Sequence, residues 1–164
     1  MVRLRPRRIE DAADSFKWRT DPELCRLDAS DPVPYHYPEF RERFMLEINY
    51  PGYIGSVSVD LLNGRHIGEC SVFSPDFHNN RAEVGIMLGE KDCWGSGYGR
   101  EAFSMFVNRI FQDSTLDRLI LRTLDWNTRA QKCFERCGFH PFEIALQGDY
   151  RFILMSMERQ HLSR

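Results

Sequence analysis

The sequence lacks any apolar run long enough to span a bilayer, and its basic first eight residues lack the apolar stretch that a signal peptide requires. It also lacks a strong charge of one sign. The formal net charge is −2 at pH 7, which gives no general attraction to nucleic acid or to an anionic membrane. We therefore expect a cytoplasmic protein with neither a membrane nor a nucleic acid as its partner.

Cysteine is sparse and irregularly spaced. The five cysteines are an odd number and do not suggest a disulfide framework. Cys133 and Cys137 are four apart on a predicted helix, but a zinc site needs two further ligands and His140 is the only obvious local candidate. We expect reduced cysteines packed as small apolar side chains, and no metal.

The length of 164 residues favours one domain, 1–164, with a sizeable core. Apolar spacing and turn signals predict alternating strands and helices, with a polar loop over 27–38. The predicted strands are 2–6, 53–60, 66–74, 81–88, 116–124, 142–146 and 150–157, and the predicted helices are 10–20, 39–49, 100–112 and 128–137. This order predicts a mixed α/β sheet and differs from the steady alternation of a doubly wound fold.

Three alternating glycines, Gly95, Gly97 and Gly99, lie between a predicted strand and a predicted helix. Glycine permits tight turns and lets backbone N–H groups approach a ligand closely, and the free amides of the helix start favour an anion. The loop 94–100 is therefore a candidate phosphate or pyrophosphate cradle. A glycine-rich turn without a ligand is the alternative.

Two common nucleotide motifs do not fit this loop. A phosphate-loop NTPase needs a Lys followed by Ser or Thr after its last glycine, and this segment has no such lysine. A dinucleotide fold needs Gly-x-Gly-x-x-Gly after its first strand, whereas here Arg100 stands at the last glycine position and the loop lies past mid-chain.

Two separated motifs, in the right order, resemble the GNAT N-acetyltransferase superfamily. The first is Cys-Trp-Gly-Ser-Gly-Tyr-Gly-Arg-Glu-Ala at 93–102, and the second is the Asn-x-x-Ala segment ending in Gly-Phe at 127–139. Trp94 and the opening segments (Leu-Arg-Pro, then Trp-Arg-Thr-Asp-Pro at 18–22) are similar to the branch that contains ribosomal-protein alanine and spermidine acetyltransferases. The resemblance implies a strongly twisted, mostly antiparallel mixed sheet with flanking helices, and acetyl-CoA in the cleft of a splayed parallel strand pair.

The resemblance also implies which residues bind the cofactor. Backbone groups of Met87, Leu88 and Gly89 would contact the pantetheine arm. The residues that would hold the pyrophosphate are Gly95, Ser96, Gly97, Tyr98, Gly99 and Arg100. Asn127 would contact the pantetheine, cap the next helix, or do both.

The same resemblance gives a partial set of catalytic groups. Glu83 matches the position of a general base, although a strand carboxylate of this kind can equally serve in an ion pair. Phe134 stands where many family members have the tyrosine that protonates the leaving thiolate, so we nominate no general acid. A backbone N–H near Met87 or Leu88 would polarise the thioester carbonyl.

The expected function is acetyl transfer from acetyl-CoA to a primary amine of a protein N-terminus, a polyamine, or an amino sugar or antibiotic. Two carboxylates and three aromatic rings of the loop 28–37 would shape the acceptor site, or the loop would simply be a solvated surface. The alternative function is a catalytically weak acyl-CoA-binding sensor or assembly domain. The candidate assembly is a homodimer, since dimers are the commonest assembly among soluble oligomers.

Overall fold

The computed structural model describes residues 1–50 and 55–159. Within these residues, seven strands form one sheet in the order β1-β2-β3-β4-β5-β7-β6. The strands are β1 Val2–Pro6, β2 Val57–Leu61, β3 His66–Asp76, β4 Arg81–Leu88, β5 Arg118–Leu124, β6 His140–Gln147 and β7 Tyr150–Glu158. The helices are α1 Ala12–Thr20, α2 Pro22–Leu27, α3 Tyr37–Asn49, α4 Tyr98–Asp113 and α5 Thr128–Arg136.

One strand pair differs from all the others. Neighbouring strands pair antiparallel except β4 and β5, which are parallel. Their pairing comprises only Arg81 with Arg118, Ala82 with Leu119, and Glu83 with Ile120. Beyond Glu83 both strands continue without pairing to each other, so the sheet opens between them. The expected mixed, mostly antiparallel sheet with one splayed parallel pair is confirmed.

The main core lies between the sheet and α4. This helix buries Ala102, Phe103, Phe106, Val107 and Ile110, the residues that its helical spacing predicts to share a face. A second cluster joins α1 and α3 through Ala12, Phe40 and Phe44. Burial of this kind stabilises a side chain by about 1.5–3 kcal/mol, so each cluster holds its helices in place.

The predicted helix 10–20 is divided in the structure. A 3₁₀ turn, Ile9–Asp11, precedes α1, and the short helix α2 then follows immediately. The sequence reading missed α2. Its start is explained by Asp21, whose Oδ1 accepts hydrogen bonds from the backbone N–H groups of Glu23 (2.9 Å) and Leu24 (3.0 Å), and by Pro22 in the first turn.

Other element boundaries move by a few residues. The start of α4 at Tyr98, two residues before the predicted 100, follows from Gly97, which caps the helix at φ +85°. The start of α3 at Tyr37 places Pro38 in the first turn, where a missing N–H costs nothing. Residues 53–54 of the predicted strand 53–60 lie outside the described residues. Within the described part of the chain, no helix is long and apolar enough to cross a membrane.

Candidate active site

A cavity of about 420 Å³ opens where β4 and β5 separate. It is bounded by the end of β4, the glycine loop, α5 and the end of α2. Its described lining residues are Leu24, Leu27, Asp28, Ile86, Met87, Leu88, Cys93, Trp94, Gly95, Gly97, Gly99, Arg100, Asn127, Arg129, Ala130, Lys132, Cys133, Phe134 and Arg136. We call this space the donor cavity. It brings together seven of the ten cofactor residues that the sequence predicts.

The glycine loop has the conformation that glycine alone adopts easily. Gly95 and Gly97 have φ angles of +76° and +85°, in the left-handed region. A Cβ added at either position would have no atom within 4 Å, so the backbone conformation, and not crowding, explains these glycines. Because α4 begins directly after Gly97, its first amides are not used by the helix and favour an anion beside the loop.

Trp94 ties the loop to the adjacent strand. Its Nε1 donates a 2.7 Å hydrogen bond to the carbonyl oxygen of Leu88. The guanidinium of Arg129 lies 3.8 Å from the centre of the Trp94 ring, in a cation–π contact. The Trp94 side chain therefore links the glycine loop to the end of β4.

The sequence reading missed three basic residues of the donor cavity. Arg129, Lys132 and Arg136 line it together with Arg100. Their spacing of three and four places them on one face of α5, and this spacing was the signal that could have revealed them. Four cations around a helix N-terminus make this side of the cavity suited to a phosphorylated ligand.

Asn127 lies at the start of α5 and in the wall of the donor cavity. Its Oδ1 accepts a 3.3 Å hydrogen bond from the N–H of Ala130 and so caps α5. The same residue lines the donor cavity. Its amide nitrogen still has donors to offer to a ligand.

Three predicted cofactor residues, Gly89, Ser96 and Tyr98, are absent from the described lining of the donor cavity. Gly89 has a packing role, because a Cβ there would lie 2.0 to 2.3 Å from ring atoms of the fully buried Trp18. Its N–H donates to the carbonyl of Ile67 at 2.9 Å. Tyr98 packs against the main core. The cofactor roles assigned to these three residues stay predictions.

A second cavity, of about 370 Å³, lies on the other side of the strand opening. We call it the acceptor cavity. It shares seven residues with the donor cavity, which form the junction between the two spaces: Leu27, Asp28, Ile86, Met87, Asn127, Ala130 and Phe134. The charged residues in its lining are Arg19, Asp28, Glu69, Glu83 and Arg122.

Glu83, the predicted base, forms a two-point ion pair with Arg122. Arg122 Nε lies 2.8 Å from Glu83 Oε1, and Arg122 Nη2 lies 3.0 Å from Oε2. Arg122 Nη1 also donates to Gln147 Oε1 at 3.1 Å. The ion pair that the sequence left as an alternative is therefore present, and it holds the carboxylate at the edge of the acceptor cavity.

The other two carboxylates differ from each other. Glu69 is buried, forms an ion pair with Arg19 at 3.3 Å and accepts a hydrogen bond from the Ser15 hydroxyl. Asp28 lies at the junction and keeps exposed surface. Desolvation by the surrounding protein raises the pKa of the Asp28 carboxyl, and the charge of Arg19 and a hydrogen bond from Ser30 oppose that rise.

The aromatic residues of the loop 28–37 do not line either cavity. The Tyr35 ring lies 6.4 Å from that of Phe40, and the Tyr37 ring lies 5.4 Å from that of Phe16, so both belong to the second core cluster. The rings that border the acceptor cavity are instead those of Phe73 on β3, Phe134 on α5 and Phe152 on β7. Of this loop, Asp28 and Ala29 reach the cavities.

Phe134 lies in the wall that the two cavities share. It is 7% exposed, with its ring edge-on to Phe103 at 5.2 Å and to Phe139 at 6.4 Å. The core contacts explain an aromatic ring at this position. Phenylalanine provides no proton for a leaving group there.

All five cysteines are free. Among the residues that the structure describes, no group of three or more His, Cys, Asp or Glu side chains is placed to hold a metal ion. Cys133 borders the donor cavity, and the Cys137 thiol accepts a hydrogen bond from the Ser104 hydroxyl at 3.4 Å.

Comparisons with known proteins agree with this arrangement. The sequence-family model of the acetyltransferase (GNAT) domain matches residues 2–140 of this chain. An uncharacterized N-acetyltransferase p20 of Bacillus licheniformis is 25% identical over 139 residues, covering 83% of this chain and 77% of that protein.

Two solved structures show the same fold. The spermidine N-acetyltransferase from Vibrio cholerae, in complex with CoA and spermine, has a TM-score of 0.85 at 16% identity, covering 96% of this chain and 95% of the other. The aminoglycoside acetyltransferase AAC(6')-Ib, in complex with coenzyme A, has a TM-score of 0.80 at 18% identity, covering 98% and 96%.

Proposed function

Because this chain belongs to the acetyltransferase (GNAT) family, we propose that it is an N-acetyltransferase that moves the acetyl group of acetyl-CoA to a primary amine. Residues 1–164 would form one catalytic domain. The five free thiols support a location in the reducing cytoplasm. The observation that carries the proposal is the pair of joined cavities at the opening between β4 and β5.

The lining of the donor cavity suits the phosphates and the pantetheine arm of acetyl-CoA. The amides after Gly97 and the side chains of Arg100, Arg129 and Lys132 would bind the phosphates. The unpaired end of β4 would offer its backbone to the pantetheine amides, which bind best where strand N–H and C=O groups lack a neighbouring strand. The thioester would then lie at the junction beside Phe134.

The amine would enter through the acceptor cavity and meet the thioester at the junction. One fold neighbour is a spermidine N-acetyltransferase in complex with CoA and spermine, and the other is an aminoglycoside acetyltransferase. Both names support an amine acceptor. In the reaction, the amine nitrogen forms a bond to the acetyl carbon and the carbon–sulfur bond breaks. The products are the amide and the CoA thiolate.

The nitrogen must lose a proton, because an alkyl amine has a pKa of about 10. We keep Glu83 as the proposed base, acting directly or through a water, with Arg122 fixing its orientation. A backbone N–H of Met87 or Leu88 would polarise the carbonyl. Because a thiol has a pKa of about 8.5, its thiolate can leave without a positioned acid, and Phe134 is compatible with turnover.

The first experiment measures CoA thiol release from acetyl-CoA with a panel of amines, together with the thermal shift caused by acetyl-CoA. We expect release with at least one amine and a higher melting temperature. The double variant Arg129→Gln/Lys132→Gln should weaken acetyl-CoA at least about tenfold, since it removes two phosphate partners. Arg109→Gln, at the far end of α4, is the matched control. Stabilisation by ATP or NAD but not by acetyl-CoA would contradict the proposal.

A second experiment tests Glu83. Glu83→Gln keeps the shape but cannot accept the proton, so the rise of kcat/KM with pH should flatten while acetyl-CoA affinity stays unchanged. Glu143→Gln on the exposed edge strand β6 is the control. A wild-type pH profile in Glu83→Gln would exclude Glu83 as the base.

Phe134 is the single observation that favours the sensor alternative. A protein of that kind would bind acetyl-CoA tightly and release no thiol above background with any amine. The amine panel therefore separates the two functions.

A further inference from the structure

The acceptor cavity is nearly neutral. Its described lining contains three carboxylates, Asp28, Glu69 and Glu83, against the two guanidinium groups of Arg19 and Arg122. One negative charge is therefore in excess. A single ammonium ion would balance it.

The position of the excess charge is defined by the ion pairs. Arg19 pairs with Glu69, and Arg122 pairs with Glu83 through two contacts. Among the described residues, Asp28 has no ion pair with an arginine or lysine within 4.0 Å. Since Asp28 also lines both cavities, its carboxylate is the one placed to meet an amine that reaches the junction.

A second ammonium group on the same acceptor would find no partner. It would lie near Arg19 and Arg122, whose charges oppose it. Like charges brought together in a partly desolvated site are strongly unfavourable. Polycationic acceptors are thus disfavoured by this lining.

The remaining walls are suited to an apolar body. Phe73 and Phe152 contribute aromatic rings, and Val84 and Leu121 contribute aliphatic surface. Apolar area removed from water stabilises binding by about 25 cal/mol per Å². Within the proposed function, we infer that the acceptor carries a single ammonium group on an apolar body, and that Asp28 binds this ammonium.

Two sources share that chemistry, and an acceptor panel distinguishes them. Phenethylamine represents a small amine, and a phenylalanine-initiated peptide with an amidated C-terminus represents a protein N-terminus. Spermidine and kanamycin represent polycations. We expect kcat/KM for at least one singly charged acceptor to exceed that of both polycations by about tenfold or more, the ratio that one lost charged contact produces. A preference for spermidine or kanamycin would overturn the inference and leave the proposed function intact. If no amine of the panel causes thiol release, the result would count against both the inference and the proposed function.

Substitution at Asp28 tests the residue. Asp28→Asn should raise the KM for the singly charged acceptor by about tenfold, because a charged hydrogen-bond partner is lost, without raising the KM for acetyl-CoA. Asp113→Asn removes the same charge at the far end of α4 and should leave both constants unchanged. An unchanged amine KM in Asp28→Asn would overturn the role of Asp28.

The charge balance can also be shifted in the opposite direction. Arg19→Gln leaves two uncompensated carboxylates, so the ratio of kcat/KM for spermidine to that for phenethylamine should rise. Arg41→Gln on α3 changes the net charge equally but lies outside the lining of both cavities. An equal change of the ratio in both variants, or no rise in Arg19→Gln, would overturn the charge argument.

Discussion

Gly89 allows a direct test of packing against cofactor binding. In Gly89→Ala the new Cβ would lie 2.0, 2.2 and 2.3 Å from three ring atoms of Trp18, far inside van der Waals contact. Neither partner can retreat easily. The Gly89 N–H donates to the Ile67 carbonyl, and the Trp18 ring is fully buried, donates to Glu90 at 2.9 Å and lies against His66 at 4.8 Å.

Overpacking of this kind costs about 3 kcal/mol of unfolding free energy. For a chain of this size each kcal/mol corresponds to about 2–4 °C, so the melting temperature should fall by about 6–12 °C. The assays are calorimetric unfolding and urea denaturation, with acetyl-CoA affinity measured by titration well below the transition. We expect the affinity to stay within about twofold of wild type, because Gly89 lies outside the described cavity lining.

Gly99→Ala is the matched control for the added methyl group. Its Cβ would have Leu88 Cδ2 at 4.0 Å as its nearest neighbour and would lie inside a helix, so stability should be unchanged or slightly higher. In the Trp18→Leu background, Gly89→Ala should cost much less than in wild type, since the ring is gone. Wild-type stability of Gly89→Ala together with weakened acetyl-CoA binding would refute the packing argument and favour the cofactor role.

Three further perturbations test other parts of the structure. Burial alone would raise the pKa of Asp11, but hydrogen bonds led by those from Arg5 lower it from 3.8 to about 2. The stability that the ionised Asp11 contributes is therefore present above pH 4 and lost as the pH falls toward 2. The unfolding free energy should drop by about 2 kcal/mol over that range, and urea midpoints in Asp11→Asn should show a smaller drop. A hydrogen bond from the Cys133 thiol lowers the pKa of Cys137, so iodoacetamide should modify Cys137 first of the five cysteines, as followed by peptide mass spectrometry. Equal rates of Cys137 modification in wild type and Cys133→Ala would contradict this. Phe134→Tyr should raise kcat by less than about tenfold, because the thiolate is already a good leaving group, and a hundredfold gain in steady-state rate would show that the protein lacks an essential acid.

The sequence predicted those parts of the fold that have a clear periodicity or a strong local signal. The α4 stripe from Ala102 to Ile110 and the Asn-Gly turn before β3 are of this kind. The six-residue α2 was missed because it is too short for helical spacing to be read, and its start depends on the Asp21 cap. This omission mattered, since α2 ends at Leu27 and delivers Asp28 to the junction.

The site was predicted unevenly for a related physical reason. Loop glycines are recognisable in sequence because positive φ angles select them, as at Gly95 and Gly97. Contacts between distant segments leave no local pattern. The pairing of Glu83 with Arg122, and the packing of Trp18 over Gly89, join positions that are 39 and 71 residues apart in the chain. Only the structure shows that one is an ion pair and the other a close packing contact.

The early end of the β4–β5 pairing explains why the two cavities meet at one place. If the pairing continued past Glu83 and Ile120, the strand edges would satisfy each other and neither cavity would reach the other. Because it stops there, Met87 on one strand and Phe134 behind the opening face both spaces. The ring of Phe134 is held by Phe103 and Phe139, so the junction is shaped by the core and does not depend on a hydroxyl at that position. The proposed chemistry at the junction then rests on charges brought from outside the opening, Asp28 from the end of α2 and the Glu83–Arg122 pair from the strand edges. We therefore expect acceptor charge to be the property that this site discriminates.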